Sequence, residues 1–283
     1  RRAKGSGGAI HLYYFVQARF TSSVWSGNWA RSQGGALWGN KGGQIDIKKC
    51  TFTNNSAPGS GRVPGSGGAI YLSDFDQTRF TSSVWYGNWA TREGGALQLF
   101  NVVRANFKNC TYERNSVLHS WTNNRYNSYF TQGGATSFYE IDQLNITNCT
   151  WARNSVSMGG TGGALYLSQC LKINVTGSNW HENAAPQLVD SSYYKDKDRA
   201  HGGAIYANLG IRFQSAIFTR CKWTKNIADH GGAMYGSGSS TNPARIAFVG
   251  CTFRENEGRL DGGAFYGIDL AGVTTFDKCK FII

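Results

Sequence analysis

The stretch GSGGAIYLSDFDQTRFTSSVWYGNWA, Gly65–Ala90, decides the fold, because most of it has already appeared sixty residues earlier. Between Gly5–Trp38 and Gly65–Gln98, 24 of 34 positions are identical. Working outward, the triplet GGA begins at Gly7, Gly34, Gly67, Gly94, Gly133, Gly162, Gly202, Gly231 and Gly262. An aromatic follows 18 to 22 residues later, at Trp25, Phe52, Trp85, Tyr112, Trp151, Trp180, Trp223, Phe253 and Phe281. In the first eight copies an Asn stands three residues further on: Asn28, Asn55, Asn88, Asn115, Asn154, Asn183, Asn226 and Asn256. Nine phased copies define a repeat, and a fixed period of this length marks a solenoid or array.

Each copy alternates apolar and polar residues over short runs, which reads as strand and never as helix. The first run starts at GGA-Ile or GGA-Leu. A second carries inward pairs such as Ile45/Ile47, Leu144/Ile146, Ile173/Val175 and Ile246/Phe248. A third carries Cys or Ser with the aromatic two residues later. Three strands so short cannot bury a face alone, so they must stack on their copies. This predicts an all-β right-handed parallel β-helix of about nine coils, one domain over residues 1–283, rising about 4.8 Å per coil and roughly 40 Å in all. Repeated residues then form ladders: Gly at corners, Asn at turns, stacked aromatics inside.

The motifs GGA-[ILV] and F-x-x-N, here GGAI, GGAL, GGAM and GGAF with FTNN and FREN, resemble the repeats of chlamydial polymorphic outer-membrane proteins. Trp or Tyr often replaces Phe, and no C-terminal transporter barrel is visible. The resemblance implies a surface-exposed, often adhesive β-helix and brings no catalytic residues.

Alternate GGA starts lie 60, 66, 69 and 60 residues apart, which suggests a two-coil super-repeat with a longer loop at every second turn. The loops 117–132 and 184–201 carry Trp121, Tyr193 and Tyr194, which either cap the loops or form a lateral contact surface. A second candidate surface is the outward column after GGA-Ile: His11, Trp38, Tyr71, Gln98, Ser137, Tyr166, Tyr206, Tyr235 and Tyr266. Exposed rings at coil spacing are candidates for binding glycan; a self-supporting Tyr ladder is the other reading.

Six of the seven Cys share a column with Ser23, Ser83 and Ser178, which reads as a small packing position rather than a metal shell. Coil spacing brings Cys110/Cys149 and Cys221/Cys251 within disulfide range, but in-register side chains run parallel, which favours buried free thiols. Asn54, Asn109, Asn145, Asn148 and Asn174 head N-x-S/T sequons, candidate glycosylation sites in a secreted chain. These features favour an extracellular or cell-surface setting. The 29 basic against 17 acidic residues give a net charge of +12, with the cations scattered along the sequence. That balance fits either a solvated basic surface or an anionic polysaccharide partner.

No apolar run is long enough to span a bilayer, no motif calls for a cofactor or a specific nucleic acid, and the acids do not form a recurring pair. An enzyme is therefore not expected, and Asp190, Asp196, Asp198 and Arg199 are the first place to look for one. The opening RRAKGSGGAI has no initiating Met or signal-like core, and neither end resembles a cap. The expectation is an excerpt of a longer surface protein, or copies stacked head to tail into a filament. The sequence thus points to a structural or adhesive extracellular β-helix, probed against an alternative that binds or degrades acidic glycans.

Overall fold

The computed structural model describes residues 5–60, 63–118, 131–157, 159–186, 200–238 and 245–283. Over these the chain is a right-handed parallel β-helix. Nine strands that follow GGA stack in chain order into one parallel sheet, and nine strands carrying the aromatic stack into a second. Every pairing between these strands is in register from coil to coil, Ile70 on Leu97 and Trp85 on Tyr112 for example.

One detail departs from three short strands per coil. In the first five coils the first two strands run as single twelve-residue strands, Ile10–Thr21, Leu37–Lys48, Ile70–Thr81, Leu97–Lys108 and Thr136–Thr147. Each bends in its interior at a left-handed residue, Tyr14, Lys41, Asp74, Asn101 or Glu140. From the sixth coil the two separate, as in Leu165–Ser168 and Lys172–Thr176. The next corner is also left-handed in every coil, at residues as different as Lys49, Ser82, Asn109 and Asn148. Such a conformation costs a non-glycine residue roughly 1–2 kcal/mol. It is held because the corner keeps its place in the ladder: the Ser82 N–H donates to Lys108 O at 2.9 Å and the Asn109 N–H to Thr147 O at 3.0 Å.

The GGA corner is stricter. Gly67 has φ +63, and a Cβ there would lie 2.3 Å from the Ile70 carbonyl oxygen. At Gly68 a Cβ would lie 1.9 Å from the Gly95 carbonyl oxygen of the next coil. Two consecutive glycines are needed for two reasons, a left-handed turn and then the close passage of one backbone over another.

Inside, the aromatic column stacks nearly face to face, Trp85 on Tyr112 at 4.5 Å and Trp151 on Trp180 at 5.2 Å. Leu37, Ile70, Leu97, Leu144 and Ile205 belong to the continuous apolar core. The Asn column is buried beside it and hydrogen-bonded along its length. Asn55 Nδ2 donates both to Asn88 Oδ1 and to the Trp25 carbonyl, each at 2.9 Å. The same pattern recurs at Asn88, Asn115, Asn154, Asn183 and Asn226. The Cys column holds free thiols, all buried except the half-buried Cys279. Ser and Cys play one part there: the Cys50 N–H donates to Ser83 Oγ at 3.0 Å and the Cys110 N–H to Cys149 Sγ at 3.4 Å. Among the described residues no helix is long and apolar enough to cross a membrane.

Candidate functional site

The outward column after GGA-Ile sits where the alternation places it, one residue past the inward Ile or Leu. Tyr166, Tyr206, Tyr235 and Tyr266 stack at 5.1–5.4 Å, with interplanar angles of 2°, 6° and 22°. Trp38 stacks on His11 at 4.1 Å, and Tyr71 continues the column above it.

The expected exposure of this stripe is corrected by the structure. Tyr166 is 6% and Tyr235 8% exposed, and Trp38, Tyr71, Tyr206 and Tyr266 are half-buried. Two causes act together. The rings lie face to face along the rod axis, so their faces cover each other and only edges point outward. A second column, from the residue just before each GGA, also folds over them. Gln33, Ser66, Glu93, Gln132, Thr161, His201 and His230 bridge one another from coil to coil. Trp38 Nε1 donates to Gln33 Oε1 at 3.1 Å, Gln98 Nε2 to Glu93 Oε2 at 2.5 Å, and the Tyr139 hydroxyl to Gln132 Oε1. The His201 ring lies 4.5 Å from Tyr235, and His230, itself buried, lies 5.1 Å from Tyr266 with its Nδ1 3.0 Å from Asp261 Oδ2.

Burial sets the electrostatics of this strip. It pushes the hydroxyls of Tyr71, Tyr166, Tyr206 and Tyr235 above the usual phenol range, so they stay neutral donors and acceptors. It also raises the Glu93 carboxyl, against the pull of Arg92, whose Nε lies 2.8 Å away. A ligand arriving at this ladder would meet ring edges and amides, not a platform.

More exposed rings stand on the first coil, outside the column marked as a candidate site. Tyr13 and Tyr14 are 54% and 65% exposed, and the Lys41 ammonium donates to the Tyr14 hydroxyl at 2.9 Å, 4.9 Å from that ring's centre. Nothing in residue type alone separates Tyr13 and Tyr14 from the buried tyrosines; Tyr14 is the left-handed residue of the bend and Tyr13 immediately precedes it.

Of the sequon residues, Asn54, Asn109 and Asn148 are exposed at left-handed corners. Asn174 is exposed on the second strand, while Asn145 is half-buried between neighbours. Asn145 Nδ2 donates to Asn106 Oδ1 at 3.1 Å, and Asn174 Nδ2 donates to Asn145 Oδ1 at 3.3 Å. Trp121, Tyr193, Tyr194, Asp190, Asp196, Asp198 and Arg199 lie outside the described residues. Among the described residues, no three His, Cys, Asp or Glu come together as a metal site.

With this geometry in place, the repeat can be compared with known proteins. Residues 49–73 match the Chlamydia polymorphic membrane protein repeat. The matched segment runs from Phe52 and Asn55 through Gly67, Gly68 and Ile70, so it takes in both motifs of the resemblance. The remaining coils repeat that unit in register with it. No curated protein and no solved structure matches the chain.

Proposed function

We propose that this chain is the rod of a surface-displayed β-helix protein with a structural or adhesive role, glycosylated on its exposed corners and able to stack end to end. The observation that carries the reading is the division of labour within each coil. Gly, Asn, aromatic and aliphatic columns are fixed by the ladders, while residues that differ between coils face outward. Similarity to a repeat of a Chlamydia membrane protein supports the surface setting. The ladders support stacking, because in-register parallel pairing lets each coil offer the next the same row of backbone and asparagine groups.

Protease shaving and antibody labelling of intact source cells test the surface reading; a chain released only on lysis would sink it. For glycosylation, enzymatic deglycosylation of native material should shift the mass at Asn54, Asn109 or Asn148, with Asn145 and Asn174 unmodified because their amides donate along the ladder. Electron microscopy at increasing protein concentration tests stacking.

A second reading, a β-helix that binds or degrades acidic glycans, is supported by the net charge of +12. Depolymerisation assays on pectin- or alginate-like polymers separate the degrading form from simple binding.

A further inference from the structure

Basic residues that look scattered in sequence are gathered by the fold, because loops of unequal length are absorbed between coils that stay in register. On the outer side of the second strand, Gln77 pairs with Arg104, Arg104 with Gln143, and Gln143 with Lys172. The column continues through Ser215 to Arg245. One line therefore carries a cation at every second coil, Arg104, Lys172 and Arg245, roughly 10 Å apart at β spacing. A parallel line carries Lys48 and Lys108 with Thr81 between them, again two coils apart. Lys49, Arg220 and Lys278 follow at the adjoining corner.

All eight side chains are exposed, and none has a carboxylate within ion-pair distance among the described residues. Other cations of the rod are paired. Arg153 sits between Glu113 and Glu182 at 3.1 and 3.0 Å, Lys225 pairs with Glu255, and Arg212 with Asp142. Among the described residues, the acids within the outward columns of the second-strand face are Asp46 and Asp277, and Asp76 and the Arg212-paired Asp142 flank the column beside Gln77 and Gln143. Asp46 is shared by Arg19 and Arg79 at 3.6 and 3.7 Å, and Asp277 lies on the last coil. Positive charge left unneutralised in a regular row attracts an anion of matching period.

The spaces between the cations narrow the choice. They hold side-chain amides, the Asn106, Asn145 and Asn174 ladder, and the hydroxyls of Thr147, Thr176 and Thr219. These groups suit sugar hydroxyls. No aromatic ring stands at an outward position of this face among the described residues, whereas single-stranded nucleic acids are held by stacking on such rings.

We infer that the outer face of the second strand binds a linear anionic polysaccharide laid along the rod, with Arg104, Lys172 and Arg245 holding successive carboxylate or sulfate groups. This deepens the adhesive reading by naming its ligand class, and it uses a different face from the tyrosine ladder.

The test uses the purified 283-residue chain with polygalacturonate and heparin as probes and neutral dextran as reference. Arg104→Gln, Lys172→Gln and Arg245→Gln are combined, since Gln17, Gln44, Gln77 and Gln143 already occupy that column and the fold accepts the amide. Arg114→Gln, Arg153→Gln and Lys225→Gln together remove the same charge from another face. Retention on an anionic probe should fall steeply with salt. The first triple should weaken it by at least about tenfold and flatten the salt slope, the second by less than about twofold. Equal losses from both triples, no retention at low ionic strength, or tighter binding to a single-stranded oligonucleotide or to phosphatidylserine vesicles would overturn the inference. Circular dichroism of each variant verifies the fold. Binding by purified protein is independent of cellular location, so failure here leaves surface display standing, and the reverse also holds.

Discussion

The side-chain carbonyl of Asn115 accepts two hydrogen bonds from Asn88, one from its backbone N–H at 3.0 Å and one from its amide at 2.9 Å. Asn115 in turn donates to the Trp85 carbonyl and to Asn154, so a single side chain satisfies groups on the coils either side. Asn115→Ala removes all four bonds and leaves buried donors and acceptors unpaired. Each such group costs about 1–3 kcal/mol, so the loss should reach about 3 kcal/mol or more. Urea denaturation measures it; a cost below about 1 kcal/mol would mean the ladder is incidental to stability.

Tyr112 makes the opposite prediction. Its hydroxyl is buried in the aromatic stack without a hydrogen-bond partner among the described residues, and burial raises its pKa well above the phenol range. Phe52 and Phe253 already fill the same column in other coils. Tyr112→Phe should therefore stabilise the chain by about 1 kcal/mol, the cost of the orphaned hydroxyl. Calorimetry would read this as a rise in Tm of roughly 2–4 °C.

Glu93 gives a pH signature. Burial holds its carboxyl above the ordinary value of 4.5, with Arg92 opposing only in part. Below that value the group is protonated in both folded and unfolded chains, and its contribution is complete. As pH rises through the raised folded value, a charge must be carried in a buried place, and stability is lost. Glu93→Gln should leave stability in acid unchanged and raise it at neutral pH, Gln132 being its neighbour in the column. A gap between variant and parent that widens towards low pH would contradict the sign.

In the cysteine column the expected outcome depends on whether the acceptor survives. Cys149 Sγ accepts from the Cys110 N–H, and the Cys149 N–H donates to Ser178 Oγ at 3.1 Å. Cys149→Ser keeps an acceptor and should change stability by less than about 1 kcal/mol. Cys149→Val orphans a buried N–H and should cost about 1–3 kcal/mol. Parallel denaturation curves of the two variants check the contrast.

How much of this was legible beforehand follows from what the ladders demand. The GGA corners, the aromatics and the asparagines each tolerate few residue types, so they repeat visibly and give away the coil. The left-handed bends at Tyr14, Lys41, Asp74, Asn101 and Glu140 share a conformation but no chemistry, so the twelve-residue strands could not be read from sequence. The covering column of Gln33, Glu93, His201 and His230 is hidden for a similar reason. It follows loops of unequal length and varies in type, although its distance to the next GGA never changes. The row of Arg104, Lys172 and Arg245 was obscured because the same loops stretch its period unevenly along the chain, while the fold restores it in space.

The asparagine ladder has one more consequence. Every link between side chains points the same way: each Asn gives one amide hydrogen to the side-chain oxygen of the next coil towards the C-terminus, from Asn28 through Asn226, while from Asn55 on its other hydrogen goes back to a backbone carbonyl of the coil before. The rod thus has a sense, with acceptors looking towards its beginning and donors towards its end. Two copies brought together by like ends would set donor against donor or acceptor against acceptor. Only partners travelling in the same direction can continue the row, so any join this molecule makes through its coils is a one-way track.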